Sequence, residues 1–313
     1  MYKFSINKPS RKNNAIKGST FNGCTNLKIE KIPEGVTSIE AYAFKGCTSL
    51  TRIEIPDVTY GHQPFAGCTG LEEIVLGGIG KPITKTIETS AFSGCTNSKL
   101  EFKVYVPTGT TSIANMPWGA TNPTVEYYDA TTGELVNLRI GGGKYKGNTE
   151  INWTKIPNEE KITEIGSGAF TNCTNLALTS LPEKITSIQG STFNGCTNLK
   201  IEKIPEGVTL IEAYAFKGCT SLTRIEIPNA GNITYGHQPF EKCTGLQEIV
   251  LGGIGKPVTT GLSSNIFSGC TQTGLVMKIY VESGTTSIAG APFGATRATV
   301  EYYDATTGEL IPQ

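Results

Sequence analysis

The sequence predicts a solenoid of about twelve to thirteen coils that stack on one another, with a curved parallel β-sheet on one face and short helical turns and loops on the other. Two observations predict it. A five-residue loop recurs along the whole chain, and a short apolar run follows each copy. Landmark spacings range from 21 residues (Cys47 to Cys68) to 28 residues (Ala120 to Asn148). A unit this small cannot bury its apolar face alone, so stacking must stabilise it.

The recurring loop consists of an aromatic residue, a spacer, usually glycine, a small residue and threonine, as in 21–25. Degenerate copies at 117–121, 145–149 and 292–296 fill the intervals between the clear copies, so no gap is left for a separate domain. The sequence therefore predicts one continuous solenoid over 1–313. The fourth loop positions form a predicted structural ladder: Cys24, Cys47, Cys68, Cys95, Ala120, Asn148, Cys173, Cys196, Cys219, Cys243, Cys270 and Ala295.

All nine cysteines occupy this ladder, and an odd number cannot pair completely. Alanine or asparagine fills the same slot elsewhere, which favours buried, unpaired thiols that act as small apolar side chains. A disulfide between adjacent coils stays open, because coils about 4.8 Å apart approach the Cα separations that disulfides use. No C-x-x-C pair exists, and His62 and His237 are far apart in sequence, so we expect no metal and no cofactor.

The apolar run after each loop predicts a β-strand. In 50–56 the residues Leu50, Ile53 and Ile55 alternate with outward-facing Arg52 and Glu54, and a proline follows. The same alternation predicts an opening strand at 2–6, and a short helical turn is expected over 41–44. Glycines in the loop suit a left-handed backbone, and among their replacements Asn172 suits it best, whereas Lys242 has no explanation from sequence.

The outward positions of these strands form a candidate ligand-binding stripe of mixed charge and tyrosine, which suits polar recognition with aromatic anchors. Each half of the chain contributes eight residues. The first eight are Arg52, Glu54, Glu73, Val75, Lys103, Tyr105, Glu126 and Tyr128. Their counterparts are Arg224, Glu226, Glu248, Val250, Lys278, Tyr280, Glu301 and Tyr303. The alternative is that each of these residues belongs to an ordinary solvated strand face.

Composition argues against several classes of function. The chain has 27 basic and 27 acidic residues and no block of like charge, so nucleic acid is not an expected partner. No stretch is apolar enough to suggest a membrane span, and residues 1–20 lack the apolar core of a signal peptide. Three aspartates and two histidines give little material for an acid–base pair, and no hydrolase, metalloprotease or phosphate-loop motif occurs, so we expect no enzyme activity.

The chain also contains an internal duplication much longer than the single repeat: about 21–137 resembles about 193–313. Residues 21–55 return as 193–227 with one change, Ser38 to Leu210, and later segments match at an offset of 175 residues around an insertion at 229–232. Such near-identity is compatible with duplication that has no functional meaning. It is also compatible with multivalency, in which two copies of one binding face raise avidity for a repetitive partner.

The pattern A-[YF]-x-F-x-G-C-T-x-L at 41–50, followed by I-x-I-P, resembles the BspA-like leucine-rich repeats of bacterial cell-surface proteins. One departure from the general leucine-rich repeat is that the cysteine lies three residues before the strand leucine. The resemblance implies a leucine-rich-repeat solenoid in an extracellular or cell-surface protein of a host-associated microbe, with a role in adhesion to host matrix proteins or to other cells.

The leading hypothesis is therefore a non-enzymatic binding or adhesion module. It would recognise a protein or glycan ligand, host extracellular matrix included, along the exposed sheet. The alternative is a structural spacer that projects another domain from the cell surface, since repetition suits that role equally well.

Overall fold

The computed structural model describes residues 14–110, 113–151, 156 and 158–312. Within this part the chain winds as a parallel β-solenoid of about twelve turns with almost no helix. It divides into two compact units, Met1–Gly141 and Gly142–Gln313. The strand expected at 2–6 lies outside the described residues, and one continuous solenoid over 1–313 stays a prediction.

Each unit contains long and short strands. In the first unit they are β1 Ala15–Ile16, β2 Ser38–Ile39, β3 Arg52–Ile55, β4 Thr59–Tyr60, β5 Glu73–Leu76, β6 Glu101–Val106, β7 Thr124–Asp129 and β8 Leu135–Ile140. In the second they are β9 Ile162–Ile165, β10 Ser187–Ile188, β11 Leu210–Ile211, β12 Arg224–Ile227, β13 Thr234–Tyr235, β14 Glu248–Leu251, β15 Val276–Val281 and β16 Thr299–Asp304. Two 3-10 helices, Glu159–Lys161 and Ala230–Asn232, also occur in the second unit.

The long strands pair in parallel, in the order β3-β5-β6-β7 in the first unit and β12-β14-β15-β16 in the second. Their inward side chains are buried, as for Ile53 and Ile55 of β3. The predicted strands at 50–56, 71–76 and 222–228 are therefore confirmed, as is the proline that follows β3 at Pro56.

One strand departs from the expected parallel sheet. β8 runs antiparallel to β7, with Val125 opposite Arg139 and Tyr127 opposite Asn137. The reversal comes from the turn after β7, where the Asp129 carboxylate accepts hydrogen bonds from the amides of Thr131 (2.7 Å) and Thr132 (3.1 Å). An aspartate that binds the backbone two residues ahead stabilises such a turn.

Segments before several of the loops form a second ladder of short strands. The two-residue strands β1, β2 and β4 pair in parallel, as do β10, β11 and β13. The coils that contain these short strands therefore have a second line of backbone pairing beside the long strands.

The helical turn expected over 41–44 is wrong, because Tyr42 has a positive φ of 59° that no right-handed helix accommodates. The backbone amides instead alternate between two kinds of acceptor. Tyr42, Phe44 and Gly46 donate to carbonyl oxygens of the next coil, whereas the amides between them donate three residues back. This alternation satisfies each donor of a tight turn while joining it to the next coil.

The loop aromatics stack between adjacent coils and form the centre of the core. Centroids of the rings of Phe21, Phe44, Phe65 and Phe92 are separated by 5.1, 5.0 and 5.3 Å in turn. The rings from Phe170 to Phe267 stack in the same way in the second unit. Stacked aromatic pairs contribute about 0.5–1.5 kcal/mol beyond the area that they bury.

The cysteine ladder carries a hydrogen bond that the sequence did not predict. Each of the eight buried thiols donates to the carbonyl oxygen of the loop aromatic in the preceding coil, at distances from 2.8 Å for Cys173 to 3.4 Å for Cys95. The pairs are Cys47 to Phe21, Cys68 to Phe44, Cys95 to Phe65, Cys173 to Tyr145, Cys196 to Phe170, Cys219 to Phe193, Cys243 to Phe216 and Cys270 to Phe240. The slot therefore holds a small side chain, which in eight coils also donates a hydrogen bond to a carbonyl oxygen of the preceding coil.

All nine cysteines are free thiols, and eight of them are buried. Burial raises the pKa of the Cys47 thiol to about 11 and that of Cys196 to about 12. Cys24 is the exception to the predicted burial, because it is exposed in the first described repeat.

The left-handed backbone predicted for the glycine slot is confirmed. Gly46 has a φ of 72°, and Asn172 and Lys242, which replace glycine, have φ values of 59° and 58°. Lys242 therefore adopts the left-handed conformation, although a lysine side chain cannot form the local hydrogen bond that supports asparagine there.

Candidate functional site

The outward faces of β3, β5, β6 and β7 align the predicted stripe into rows across the sheet. The first row joins Arg52 to Glu73, and the next joins Glu54, Val75, Lys103 and Glu126. The third row pairs Tyr105 with Tyr128. Their counterparts in β12, β14, β15 and β16 have the same register.

The charged members of the first unit form a connected network. The Arg52 guanidinium contacts the carboxylates of both Glu54 (2.6 Å) and Glu73, and the Lys103 ammonium lies 2.7 Å from Glu73. Lys31, from the preceding coil, extends the network to Glu54 at 3.5 Å. Each charge on this part of the face is therefore opposed by another one.

The second unit repeats this network with nearly the same distances. Arg224 lies 3.0 Å from Glu226 and 2.6 Å from Glu248, and Lys278 lies 2.6 Å from Glu248. Lys203 takes the place of Lys31, at 3.5 Å from Glu226. The same charged residues in the same strand register therefore form the same network in both units.

The ion pairs set the protonation of the carboxylates. The Lys278 ammonium, and to a smaller extent the Arg224 guanidinium, hold the pKa of Glu248 below its ordinary value, although burial acts to raise it. For Glu73, burial acts to raise the pKa, but Lys103 and Arg52 together outweigh it and lower the pKa. Both carboxylates are therefore ionised at neutral pH.

Two stacked tyrosine pairs continue the face beyond the charges. The rings of Tyr105 and Tyr128 lie 5.3 Å apart between centroids, and those of Tyr280 and Tyr303 lie 5.4 Å apart. The Tyr128 hydroxyl donates to Glu126 (2.6 Å), and burial followed by this bond raises the pKa of Tyr128. All four rings are half-buried, so each pair presents a fixed apolar edge with a polar tip.

Two stripe residues have little area to offer. Val75 and Val250 point outward by alternation but are only 8% and 7% exposed. Glu101 and Thr124 lie in the same outward rows as Arg52 and Glu73, and the stripe omitted them. Glu101 lies two residues before Lys103 on the same strand, so extending the alternation by one position would have included it.

Lys31 and Lys203 were also missed as neighbours of the stripe. They lie before a strand in the preceding coil, and only a backbone bridge, Lys31 to Glu54 or Lys203 to Glu226, brings them to the face. Nothing in the local pattern indicates that pairing.

Metal-ligand clusters and membrane-spanning helices are both absent from the described residues. No group of three or more His, Cys, Asp or Glu side chains lies close enough together to hold a metal ion. No helix there is long and apolar enough to span a bilayer. His62 lies near Glu88 (3.6 Å), and His237 lies near Asn265 (3.4 Å), in equivalent loops of the two units.

The repeating coil with its aromatic and cysteine ladders corresponds to a known family. The sequence profile described as "BspA type Leucine rich repeat region" matches in six copies, over residues 3–117 and 139–274. The chain belongs to this family. The resemblance noted from the motif at 41–50 is thereby confirmed, and the fold is a leucine-rich-repeat solenoid.

Solved structures similar to this BspA-type repeat protein are bacterial. A leucine-rich repeat protein from Bacteroides ovatus ATCC 8483 is 22% identical, covers 94% of this chain and 80% of its own, and has a TM-score of 0.40. A leucine-rich cell surface protein from Faecalibacterium prausnitzii A2-165 is 24% identical, with 71% and 78% coverage and a TM-score of 0.30.

A further match is the pneumococcal vaccine antigen PcpA, which is 18% identical, with 79% coverage of this chain, 67% of its own and a TM-score of 0.41. No curated protein matches this BspA-type chain.

Proposed function

We propose that this BspA-type repeat protein is a non-enzymatic binding and adhesion module of a secreted or cell-surface protein. Its ligand is a protein or glycan, with host extracellular matrix as the first candidate, and the outward sheet face is the contact surface. The observation that carries the proposal is the stacked tyrosine pair beside a charged network, present once in each unit.

Tyrosine pairs of this kind suit recognition because their conformation is already fixed before a ligand arrives. The stacking of Tyr105 on Tyr128 and the bond from Tyr128 to Glu126 hold both rings in one orientation. A ligand therefore does not have to order these side chains, which otherwise costs about 0.5–1.5 kcal/mol for each immobilised side chain.

The proposed cell-surface location rests on the family and on two similar structures, of which one is a leucine-rich cell surface protein and the other a vaccine antigen. That the module is not an enzyme rests on the same family, whose repeats generally act as scaffolds. Both statements belong to the proposal.

One observation favours the alternative, a structural spacer. Every charge of the Arg52 network is compensated within the chain, so no charge on that part of the face requires an external partner. A spacer needs only a stable, soluble surface of this kind. The two functions differ in the role of the tyrosine pairs, which a spacer does not use.

The test is binding of the intact chain to an immobilised extracellular-matrix preparation, to mucin and to a glycan array, followed by substitution of Tyr105, Tyr128, Tyr280 and Tyr303 with alanine. A saturable ligand that is lost with the four tyrosines supports the binding module. No saturable binding at micromolar concentration supports the spacer.

A matched control is available on the turn side. Tyr42 and Tyr214 are equivalent residues in the two units, each packed edge-on against a histidine and below a lysine. Substituting both with alanine removes tyrosine without touching the sheet face. Equal loss of binding in this control would contradict the proposed surface.

A further inference from the structure

The loop after β3 contains an internal carboxylate site. The Asp57 carboxylate accepts hydrogen bonds from the amides of Thr84 (3.1 Å) and Lys85 (3.0 Å) and from the Thr84 hydroxyl (2.5 Å). Three donors therefore converge on one carboxylate, which is the arrangement that binds anions well in proteins.

The second unit keeps the donors and changes the acceptor. Thr84 and Lys85 correspond to Thr259 and Thr260 at the offset of 175, and Asn229 follows the strand proline where Asp57 does in the first unit. The side-chain amide of Asn229 does not bind these donors; it donates to the Glu206 carbonyl oxygen (2.6 Å). Within the part of the chain that the structure describes, neither the amides nor the hydroxyls of Thr259 and Thr260 bind a protein acceptor.

A cleft of about 240 Å³ lies at this place. Its lining is formed by Pro228, Asn229, Asn232, Gly255, Lys256, Pro257 and Thr259. The inserted 3-10 helix Ala230–Asn232 forms one wall, and a Cβ added at Gly231 would lie 3.7 Å from the Thr259 nitrogen, an ordinary van der Waals distance. Thr259 therefore lies in the lining of a cleft that is large enough for a small ligand group.

The charges around the cleft favour an anion. The Lys256 ammonium lies 2.6 Å from one oxygen of Glu206, and Lys203 lies 3.5 Å from the other. Lys203 also pairs with Glu226 (3.5 Å), so Lys256 is the ammonium that lines the cleft. A second carboxylate in the cleft would lie close to Lys256 and would gain from its charge.

We propose that this cleft binds a carboxylate of a ligand, about the size of an aspartate side chain, through the Thr259 amide and hydroxyl and the Thr260 amide, as Asp57 is bound in the first unit. The chemistry is shared by an acidic peptide side chain and an acidic sugar. The site lies apart from the tyrosine pairs, so it holds or fails independently of the proposed function.

The experiment is amide NMR of the intact chain during titration with N-acetyl-aspartate N-methylamide. We expect saturable shifts of the Thr259 and Thr260 amides, with a dissociation constant on the order of millimolar for so small a probe. The neutral asparagine analogue should leave both amides unshifted. Equal shifts with the two probes, or no shift with the aspartate probe at 50 mM, about the upper practical limit of such a weak-binding titration, would overturn the proposal.

Glucuronate supplies the other source of the carboxylate. Tighter binding of glucuronate than of the aspartate probe assigns the site to acidic sugars, and the reverse order assigns it to acidic peptides. The Lys256→Gln variant should weaken either ligand by about two- to fivefold, as the loss of one partly exposed charge does.

Two reciprocal variants use the duplication as a control. Asp57→Ala removes the internal acceptor, so the Thr84 and Lys85 amides should begin to respond to the aspartate probe. Replacing Asn229–Asn232 by a single aspartate copies the first unit and should abolish the response of Thr259 and Thr260. A response at Thr259 that persists in the loop replacement would contradict the assignment of these donors.

Discussion

The thiol of Cys219 donates a hydrogen bond to the carbonyl oxygen of Phe193, 3.1 Å away in the preceding coil. The same oxygen accepts the amide of Cys196 at 3.0 Å, so the thiol is its second donor. Burial raises the pKa of Cys219 well above its ordinary value, which keeps the proton on sulfur and the bond intact. The ladder of cysteines is thus a ladder of weak hydrogen bonds between coils.

We expect Cys219→Ala to cost about 1 kcal/mol or less of stability, because the Phe193 oxygen keeps its backbone donor and a thiol is a weak one. Alanine already occupies this slot at Ala120 and Ala295, where it is nearly buried. Urea denaturation followed by circular dichroism measures the change.

Cys219→Leu provides the contrast at the same position. Its extra volume has to fit between stacked coils, so we expect a loss of about 1–3 kcal/mol from overpacking. A larger loss for alanine than for leucine would show that the hydrogen bond, and not the volume, decides the residue in this slot.

Native thiol reactivity should distinguish Cys24 from the other eight cysteines. Cys24 is exposed and the others are buried, and burial raises the pKa of thiols such as Cys95 and Cys270 to about 12. Only thiolates react readily, so a chromogenic disulfide reagent should label one thiol quickly and the rest only after unfolding. Cys24→Ser should remove the fast phase. Fast labelling of two or more thiols in the native chain would contradict the buried ladder.

The duplicated tyrosines Tyr60 and Tyr235 differ in one hydrogen bond. The Tyr235 hydroxyl donates to the Ala230 carbonyl oxygen (3.2 Å) in the inserted 3-10 helix, whereas the buried Tyr60 hydroxyl has no partner among the described residues. An unmade hydrogen bond of a buried hydroxyl costs stability, and a made one contributes about 1 kcal/mol.

Phenylalanine at these two positions should therefore have different effects. Tyr235→Phe should cost about 1 kcal/mol, while Tyr60→Phe should leave stability unchanged or raise it. Each variant is the other's control, since both remove one hydroxyl from the same place in the coil. Equal losses in thermal denaturation would show that Tyr60 has an acceptor.

Tyr60 and Tyr235 show which structural features can be predicted from the sequence and which cannot. The period of the loop predicted the coil, the strands and the core, because a repeated apolar pattern has one way to bury itself by stacking. The partner of Tyr235 was not predictable, since it depends on how the insertion at 229–232 folds. The antiparallel β8 was missed for a similar reason: its direction depends on the Asp129 turn, and the repeat pattern is silent about single turns.

Within the candidate site, alternation placed the outward residues but could not give their partners. Lys103 contacts Glu73 because β5 and β6 pair in one register, and sequence spacing does not fix registers between coils that differ in length. Val75 shows another limit of the alternation: its side chain points outward, yet it is buried.

The ion-pair network should make stability depend on pH through Glu248. Lys278 and Arg224 lower its pKa in the folded state, so the carboxylate contributes stability above its unfolded value of about 4.3. This contribution is lost as the pH falls through the folded value. Glu248→Gln should therefore be less stable than the parent chain by about 0.5–1 kcal/mol near neutral pH, with the difference shrinking towards zero near pH 3.

Denaturation midpoints of both chains across this range measure the effect. Glu30→Gln is a suitable control, because Glu30 is exposed and has no ion pair within the described residues. That control should follow the parent chain at each pH, since it removes a carboxylate that lies in solvent. A Glu248→Gln deficit that stayed constant down to pH 3, about a unit below the ordinary range for glutamate, would mean that packing and not charge connects Glu248 to its neighbours.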